Sequence, residues 1–266
     1  MRTLRTEASE RVVTDTASRP KGKVYLVGAG PGAIAYLTVR AHQLLTQAEA
    51  LVYDALVDPE VLALLPPGCD RHDVGKRGGR PSPAQAEIDA RLVALCQAGK
   101  RVVRLKSGDP FIFGRSASEI QALKAAACAF EVVPGVSSAL AAPLLAGIPL
   151  TDPVLGSNFA VLTAHDLDAH DWDALARLHT LVILMGGRSL AAVCDRLIRR
   201  GKRPETPVAI IRWASQPQQQ VWTGTLLTIA HQTKGETLSP CIIMIGEVAA
   251  LRPYLTPSDL PEAEAW

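Results

Sequence analysis

The stretch RVVRLKSGDPFIFGR, residues 101–115, joins a strand pattern to an unusual turn. Residues 101–105 mix charged and apolar side chains in a way that suits a strand. The chain then breaks at KSGDP (106–110) and resumes with the apolar residues FIF (111–113) before Arg115. Gly, Asp and Pro are ordinary turn residues, but a turn alone does not require aromatic and basic residues around it. The stretch therefore indicates a loop that does more than reverse the chain.

Around this stretch, short β-branched runs alternate with longer amphipathic segments. The runs predicted to be strands are 24–30, 50–54, 101–105, 130–135, 159–164, 180–185, 207–214 and 241–246. The segments predicted to be helical are 36–48, 57–65, 83–98, 136–151 with a bend near Pro143, 188–200 and 225–232. Strands that alternate with helices predict an α/β fold whose sheets are covered on both faces.

The strands fall into two clusters on either side of the Pro134-Gly135 turn, which predicts two α/β domains. We expect an N-terminal domain over residues 22–134 and a C-terminal domain over 135–252. Residues 1–21 are predicted to be a flexible polar leader that lacks the apolar centre of a signal peptide. Residues 253–266 are predicted to be a loose tail.

Bulk composition excludes several classes of function. The chain has 266 residues, of which 48% are hydrophobic and 20% charged, as in an ordinary globular protein. A net charge of +2 is too small to predict nucleic acid or an acidic membrane as the main partner. No apolar run approaches the roughly 18 residues of a membrane span. We therefore expect a cytoplasmic protein with neither a nucleic-acid nor a membrane partner.

Neither the cysteines nor the histidines predict a metal site. The five cysteines are scattered and never spaced as Cys-x-x-Cys, which argues against a disulfide framework and against zinc. His165 and His170 lie among four aspartates, but their spacing is not that of helical metal ligands and favours a polar loop before Trp172.

The glycine-rich segment GAGPGA, residues 28–33, lies between a predicted strand and a predicted helix. Gly28 and Gly30 fit a dinucleotide-binding fingerprint. Pro31, however, lacks the backbone N–H that usually faces pyrophosphate at that position. Three interpretations stay open from these residues: a tight turn, a nucleotide-phosphate loop, or a loop for another ligand.

Charged residues mark two further segments. VGKRGGRPS, residues 74–82, carries Lys76, Arg77 and Arg80 on a glycine-rich loop, which is typical of an anion-binding loop or of a solvated basic loop. Asp54 follows the second predicted strand, at the sheet edge where open α/β folds bind ligands. An aspartate there is also a common helix cap or turn residue.

Together, GAGPG, VYD, VGKRGGR, the 101–115 stretch, EVVPGVSSALAAPLLAGIPLT and Met185-Gly186 resemble the uroporphyrinogen-III C-methyltransferases, within the wider tetrapyrrole methylase family. The resemblance runs from about residue 22 to residue 251. It implies two α/β domains with S-adenosylmethionine in the cleft between them, no metal, and usually a homodimer. It further implies transfer of two methyl groups to uroporphyrinogen III, with S-adenosylhomocysteine as by-product, giving precorrin-2 by way of precorrin-1 for sirohaem, cobalamin or haem d1 synthesis.

The same resemblance assigns roles to individual residues. It implies that Asp54 and Lys76 are the acid–base residues. A macrocycle also needs an apolar floor, which we expect Phe111, Phe113 and Met185 to supply. Substrate contacts would be made by Arg115, Lys76, Arg77 and Met185. Cofactor contacts would be made by Pro31, Ser107, Gly108, Asp109, Ile112, Ser137, Ser138, Met185, Ala214 and Cys241.

Departures from the family pattern lie mainly on the substrate side. Ser107 stands where the family has a glycine, and Ala55, Ser118 and Pro153 stand where it has arginine, glutamate and arginine. These losses keep two alternatives open: a methylase of another tetrapyrrole or a low-activity paralogue, and a non-catalytic tetrapyrrole-binding protein. A nicotinamide dehydrogenase is disfavoured, because Pro31 and the Gly-Asp-Pro turn have no place in that chemistry.

Overall fold

The computed structural model describes residues 22–75 and 84–256. In these ranges the strands are β1 Lys23–Gly28, β2 Ala50–Tyr53, β3 Asp70–Asp73, β4 Arg101–Lys106, β5 Ala129–Val133, β6 Phe159–Thr163, β7 Thr180–Leu184, β8 Pro207–Arg212, β9 Gln220–Thr225 and β10 Cys241–Ile245. The α-helices are α1 Val39–Leu45, α2 Pro59–Ala63, α3 Gln85–Gln97, α4 Ser116–Ala125, α5 Ser138–Leu145, α6 Trp172–Arg177, α7 Leu190–Arg199, α8 Ile229–Gln232 and α9 Arg252–Leu255.

The first sheet is parallel throughout, with strand order β3-β2-β4-β1-β5. Helices α1 and α2 cover one face, and α3 and α4 cover the other, so its inner strands are buried on both sides. Helix α1 connects β1 to β2 on one face of the sheet. Helix α4 connects the neighbouring strand β4 to β5 on the opposite face. The connections therefore diverge between β1 and β4, and such a switch point opens a ligand crevice at the carboxyl edge of the sheet.

The second sheet is mixed, with strand order β6-β7-β10-β8-β9. Strand β10 runs antiparallel to β7 and to β8, so its first residues lie beside the last residues of both neighbours. Cys241 is paired with Arg212, and Ile242 with Leu184. Loops that leave β7 and β8 therefore meet the loop that enters β10 at one edge of this sheet.

Every predicted strand is present, with ends that differ by one or two residues, but some elements were not predicted. Strands β3 and β9 and helices α4, α6 and α9 are additional. The predicted helix at 36–48 is instead a short 3₁₀ turn followed by α1, because Thr38 caps α1 through a bond from the Ala41 amide (3.1 Å). The predicted helix at 136–151 is limited to α5, which ends two residues after Pro143.

The division of the chain at residue 134/135 stays a prediction. In the structure α5 packs against the second sheet, where Ala139 and Ala142 share an apolar cluster with Val182 and Met244. Helix α9 extends to Leu255, inside the segment predicted to be a loose tail. The predicted leader, residues 1–21, lies outside the described residues.

Candidate active site

The loops after β1 and β4 are joined across the crevice of the first sheet. The Ala29 amide donates to the Lys106 carbonyl (2.8 Å), and Gly30 and Gly108 exchange two backbone hydrogen bonds of 3.2 and 2.8 Å. GAGPG and KSGDP therefore form one backbone platform at the point where the connections diverge.

This platform continues into the start of α5 through Asp109. One carboxylate oxygen of Asp109 accepts from the Phe111 amide (2.8 Å), and the other accepts from the Gly135 amide (3.2 Å). Ser137 caps α5 by accepting from the Ala139 amide (3.3 Å). The structure thus brings Asp109 beside the segment that holds the predicted contacts Ser137 and Ser138, and both Asp109 carboxylate oxygens accept from backbone amides of the chain itself.

The second sheet meets this platform through the loop after β8. The Ala33 amide donates to Ser215 Oγ (3.0 Å), next to the predicted cofactor residue Ala214. Ala214 itself is buried among apolar residues. Met185 and Cys241 lie at the same sheet edge as Ala214, at the end of β7 and the start of β10. Predicted contacts from both sheets therefore lie on loops that face one another.

Backbone strain is concentrated in these loops. In the two described ranges, six non-glycine residues have positive φ, and all but Ala127 belong to the loops of this site. Such conformations are costly for L-residues and are typical of functional sites. The five in the site are Phe113, Arg115, Met185, Trp213 and Ser215.

An apolar surface accompanies this strain. Phe111, Ile112, Phe113 and Met185 expose between 43% and 63% of their surface. Phe111, Ile112 and Phe113 are consecutive residues after the platform, and Met185 follows β7 at the edge of the second sheet, so exposed apolar side chains lie on loops of both sheets at this site. Phe111, Phe113 and Met185 are the residues of the predicted floor and Ile112 is a predicted cofactor contact, and these roles stay predictions.

A buried charged cluster, which we call the tetrad, lies directly behind the platform. Arg104 donates from Nη2 to Asp54 Oδ1 (2.7 Å) and from Nε to Glu119 Oε1 (2.8 Å). Lys106 donates to both Glu119 oxygens, at 2.9 and 2.8 Å. The side chains of Arg104, Lys106 and Glu119 are at most 4% exposed, whereas that of Asp54 is 34% exposed. Asp54 is therefore the member of the tetrad that reaches the crevice.

The tetrad answers two questions from the sequence. Asp54 follows β2 as predicted, and its carboxylate pairs with Arg104 instead of capping a helix; the cap of α2 is Asp58. The Lys106 ammonium group binds Glu119 and does not lie on the ligand side of the loop. Burial lowers the pKa of Lys106, the Arg104 charge lowers it further, and Glu119 opposes both.

Arg104 and Glu119 are functional candidates that the sequence reasoning missed. Residues 102, 104 and 106 point to one face of β4, so the charges of Arg104 and Lys106 lie on the face that α3 and α4 cover. Charges at alternate positions of an otherwise buried strand were the available signal.

The predicted substrate residues are described only in part. Arg115 is exposed, and its side chain forms no hydrogen bond or ion pair with any part of the chain that the structure describes. Lys76, Arg77 and Arg80 lie outside the described residues. Asp152, in the segment that departs from the family pattern, accepts from the amides of Val154 and Leu155 at 2.8 and 2.9 Å. It therefore stabilises a turn and is engaged by the chain itself.

Thiols and possible metal ligands behave as structural groups here. Burial raises the pKa of the Cys241 thiol to about 11, so Cys241 is a thiol near neutral pH. His170 contacts the Thr163 carbonyl (2.7 Å) and Asp171 caps α6. Across residues 22–75 and 84–256, no three His, Cys, Asp or Glu side chains form a group that could hold a metal ion.

Ser107 provides a test of whether this site suits a ligand. Its Oγ is buried and has no hydrogen-bond partner within the described chain. Buried hydroxyls nearly always have partners, so a polar ligand atom is the expected one. A side-chain carbon added at Gly108, where φ is +68°, would lie 3.5 Å from the Ser138 amide nitrogen, so this part of the platform is closely lined by α5. The residues therefore fit a ligand that combines polar and apolar parts, as S-adenosylmethionine does.

Comparison with known proteins identifies the class. The chain matches the family model of the tetrapyrrole (corrin/porphyrin) methylases over residues 23–230 and therefore belongs to this family of methyltransferases. Over 233 residues it is 58% identical to the uroporphyrinogen-III C-methyltransferase of Synechococcus elongatus. This match covers 88% of this chain and 96% of that protein.

Two further relatives extend the comparison. Siroheme synthase of Tolumonas auensis is 46% identical over 239 residues, and the match covers 88% of this chain but only 51% of that protein. The crystal structure of uroporphyrin-III C-methyl transferase from Thermus thermophilus, complexed with S-adenyl homocysteine, is 38% identical with a TM-score of 0.75, covering 86% of this chain and all of that one. The predicted family and the predicted fold class of two α/β domains are confirmed.

Within the described chain, none of the helices combines the length and the apolar character needed to span a membrane.

Proposed function

We propose that this chain is an S-adenosylmethionine-dependent methyltransferase that adds two methyl groups to pyrrole carbons of uroporphyrinogen III, giving precorrin-2 by way of precorrin-1. Its product would feed sirohaem, cobalamin or haem d1 synthesis. The observation that carries the proposal is the meeting of the Gly30–Gly108 platform with the Ser215 loop, in a chain 58% identical to a uroporphyrinogen-III C-methyltransferase.

Cofactor binding is assigned to both sides of the crevice. S-adenosylmethionine supplies a methyl group on a positively charged sulfur. On the first sheet, the platform and the start of α5 would hold its polar groups, with Ser107 Oγ available as a partner. On the second sheet, the loop edges after β7 and β8 and before β10 would enclose the other side. The complete set of proposed contacts is Pro31, Ser107, Gly108, Asp109, Ile112, Ser137, Ser138, Met185, Ala214 and Cys241.

Substrate binding is assigned to the exposed residues beyond the platform. Phe111, Phe113 and Met185 would contact the macrocycle, since they are exposed apolar residues on the loops of this site. Arg115 would bind a carboxylate of the substrate, because its guanidinium is exposed and free within the described chain. Lys76 and Arg77 are proposed to add further positive charge. Fixing the ring in this way aligns the reacting carbon, which is a large part of catalysis in a two-reactant step.

Proton removal is assigned to Asp54. After methyl transfer the pyrrole ring carries positive charge and must lose a proton. Arg104 binds Oδ1 of Asp54, while Oδ2 has no hydrogen bond in the described structure and the side chain is partly exposed. Oδ2 is therefore the oxygen that would accept the proton. Lys76 is proposed as the second acid–base residue.

Quaternary structure and location complete the proposal. We place the protein in the cytoplasm, because both ligands of the reaction are charged and water-soluble. We also propose a homodimer, which would cover exposed apolar residues such as Leu140 and Leu144, one turn apart on α5. Sedimentation equilibrium of the wild type and of Leu144→Asp tests this; a monomeric wild type contradicts it.

The decisive experiment is an anaerobic incubation of the protein with uroporphyrinogen III and S-adenosylmethionine, followed by mass analysis of the oxidised product. A gain of two methyl groups is expected, and Asp54→Asn should lower the rate about 10²-fold or more while keeping S-adenosylhomocysteine affinity. If no methyl group is gained although S-adenosylhomocysteine binds, the altered substrate side, with Pro153 and Ala55, serves another tetrapyrrole. If neither occurs, the chain is a binding protein only.

A further inference from the structure

The buried tetrad contains more charge than the fold requires. Arg104, Lys106 and Glu119 are almost completely buried at the end of a parallel strand whose neighbours are apolar. Removing such charges from water is costly, and buried ion pairs are often no more stable than apolar residues of similar volume. A structural role alone therefore does not explain why four charges are gathered at this point.

The hydrogen bonds of Arg104 link the buried Glu119 to the partly exposed Asp54. The guanidinium is clamped by Glu119 at Nε (2.8 Å) and by the Leu105 carbonyl at Nη1 (3.2 Å), and it presents Nη2 to Asp54 at 2.7 Å. Lys106 in turn neutralises Glu119 through both carboxylate oxygens. Each inner residue thus fixes the next one outward, and the chain of contacts ends at the crevice.

Asp54 is held at two points as a result. Its backbone amide donates to the Leu105 carbonyl (3.3 Å), next to the strand residue that carries the guanidinium. Its Oδ1 is bound by Arg104, so rotation of the carboxylate is restricted, and Oδ2 has no hydrogen bond in the described structure. A proton acceptor needs this kind of fixed orientation toward the proton that it removes.

We propose that Arg104 is a positioning residue for the reaction: clamped by the Glu119–Lys106 pair, it holds the Asp54 carboxylate oriented with Oδ2 toward the substrate. This inference rests on the proposed function, since it assigns Arg104 a role only through Asp54. Arg104 touches neither the substrate nor the cofactor in this scheme.

A double-mutant cycle tests the proposal. Arg104→Lys keeps the buried positive charge, but a lysine cannot bind Asp54 and Glu119 with the fixed fork of a guanidinium. We expect it to lower kcat about 10²-fold through misplacement of the carboxylate, with the S-adenosylhomocysteine Kd unchanged. In the Asp54→Asn background the same substitution should lower kcat by less than about twofold, because non-additivity is the sign of two residues that act as a unit.

Two controls accompany the cycle. Arg101→Lys lies at the opposite end of β4, where Arg101 binds Gln47, and it should leave kcat unchanged in both backgrounds. If Arg104→Lys fails to fold, Glu119→Gln replaces it in the same cycle. Glutamine keeps the size of Glu119 and an acceptor oxygen for Arg104, so this variant weakens the clamp with little change in packing.

The outcomes separate this proposal from the proposed function. Equal losses from Arg104→Lys with and without Asp54 would overturn the positioning role, as would a tenfold weaker S-adenosylhomocysteine affinity with unchanged kcat. A wild-type protein that transfers no methyl group to uroporphyrinogen III would overturn both proposals. An active wild type with additive substitutions would overturn this one alone.

Discussion

Gly28 and Gly135 contact each other through their backbones. A side-chain carbon added at Gly135 would lie 2.6 Å from the Gly28 Cα and 2.2 Å from the Gly108 carbonyl oxygen. One added at Gly28 would lie 2.5 Å from the same oxygen. Three segments that are far apart in the sequence therefore meet in a space that admits no side chain, directly beneath the loops assigned to the cofactor.

Gly135→Ala should separate these segments. We expect a loss of about 1–3 kcal/mol in the free energy of unfolding, as for other overpacked sites. S-adenosylhomocysteine should bind at least tenfold more weakly, since Gly135 also donates to Asp109. Urea unfolding and calorimetry measure the two effects. Gly68→Ala is the control. Gly68 has a φ of +83°, but a side-chain carbon added there would meet nothing within 4 Å, so the variant should lose some stability and keep its ligand affinity. Equal binding by both variants contradicts the assignment.

Ser107→Ala should have effects of opposite sign on the free and the bound protein. Removing a buried hydroxyl without a partner should raise the free energy of unfolding of the ligand-free protein by about 1 kcal/mol. Losing a hydrogen bond to the ligand should weaken S-adenosylhomocysteine binding by up to about tenfold. Thr180→Val, which removes another unpaired buried hydroxyl, should stabilise the protein without affecting binding. Unchanged affinity in Ser107→Ala removes Ser107 from the cofactor site.

Arg115→Gln should affect the tetrapyrrole and not the cofactor. Loss of one charged hydrogen bond to a carboxylate is worth about 1.5–3 kcal/mol, so KM for the tetrapyrrole should rise about 10-fold to 100-fold. Steady-state kinetics at saturating S-adenosylmethionine measure this change. Arg199→Gln, at the exposed end of α7 where Arg199 pairs with Asp195, is the control and should leave KM unchanged. A rise in KM for S-adenosylmethionine would instead assign Arg115 to the cofactor site.

Glu131→Gln should alter how stability depends on pH. The hydrogen bond from Lys23 has the largest effect on the pKa of Glu131 and lowers it. Burial raises this pKa, but the hydrogen bond from Arg40 lowers it again, so it lies below its usual value of 4.5. A lowered carboxylate pKa stabilises the folded protein above pH 4.5, and this contribution disappears as the pH falls through the folded-state pKa. The variant should be about 0.5–1 kcal/mol less stable near pH 7 and should approach the wild type below pH 4.

Urea unfolding between pH 3 and pH 8 checks this prediction. Glu205→Gln removes an exposed carboxylate that has no ion pair in the described structure, and it should show no such pH dependence. A stability difference between Glu131→Gln and the wild type that persists unchanged at pH 3 would contradict the assignment.

Much of the fold was predictable because buried parallel strands leave a strong signal. Apolar runs such as residues 24–28 and 180–184 can hardly be anything else in an α/β pattern. Strand β9 carries no such run, since it is a half-exposed edge strand that pairs only with β8. Its existence depends on a partner that the local sequence does not reveal.

The site was predictable to a different degree in its two halves. The loops at 28–33 and 106–110 contain glycine and proline, whose backbone requirements are local, so their proximity at one sheet edge follows from the topology. The bond between Arg104 and Glu119 joins a strand to a following helix, and its geometry depends on how α4 packs. Burial of a charge is a tertiary property, which is why a buried arginine resembles a surface arginine in the sequence.

The tetrad also limits how this protein can change over generations. Its two cations and two carboxylates cancel, so loss of any one charge leaves another unpaired inside the protein, at a cost that breaking a buried pair usually brings. Single substitutions at Arg104, Lys106 or Glu119 should therefore be rare in descendants, and paired replacements should be the accessible route. The exposed loop residues around Arg115 carry no such constraint, so new substrates would be acquired there while the tetrad stays fixed.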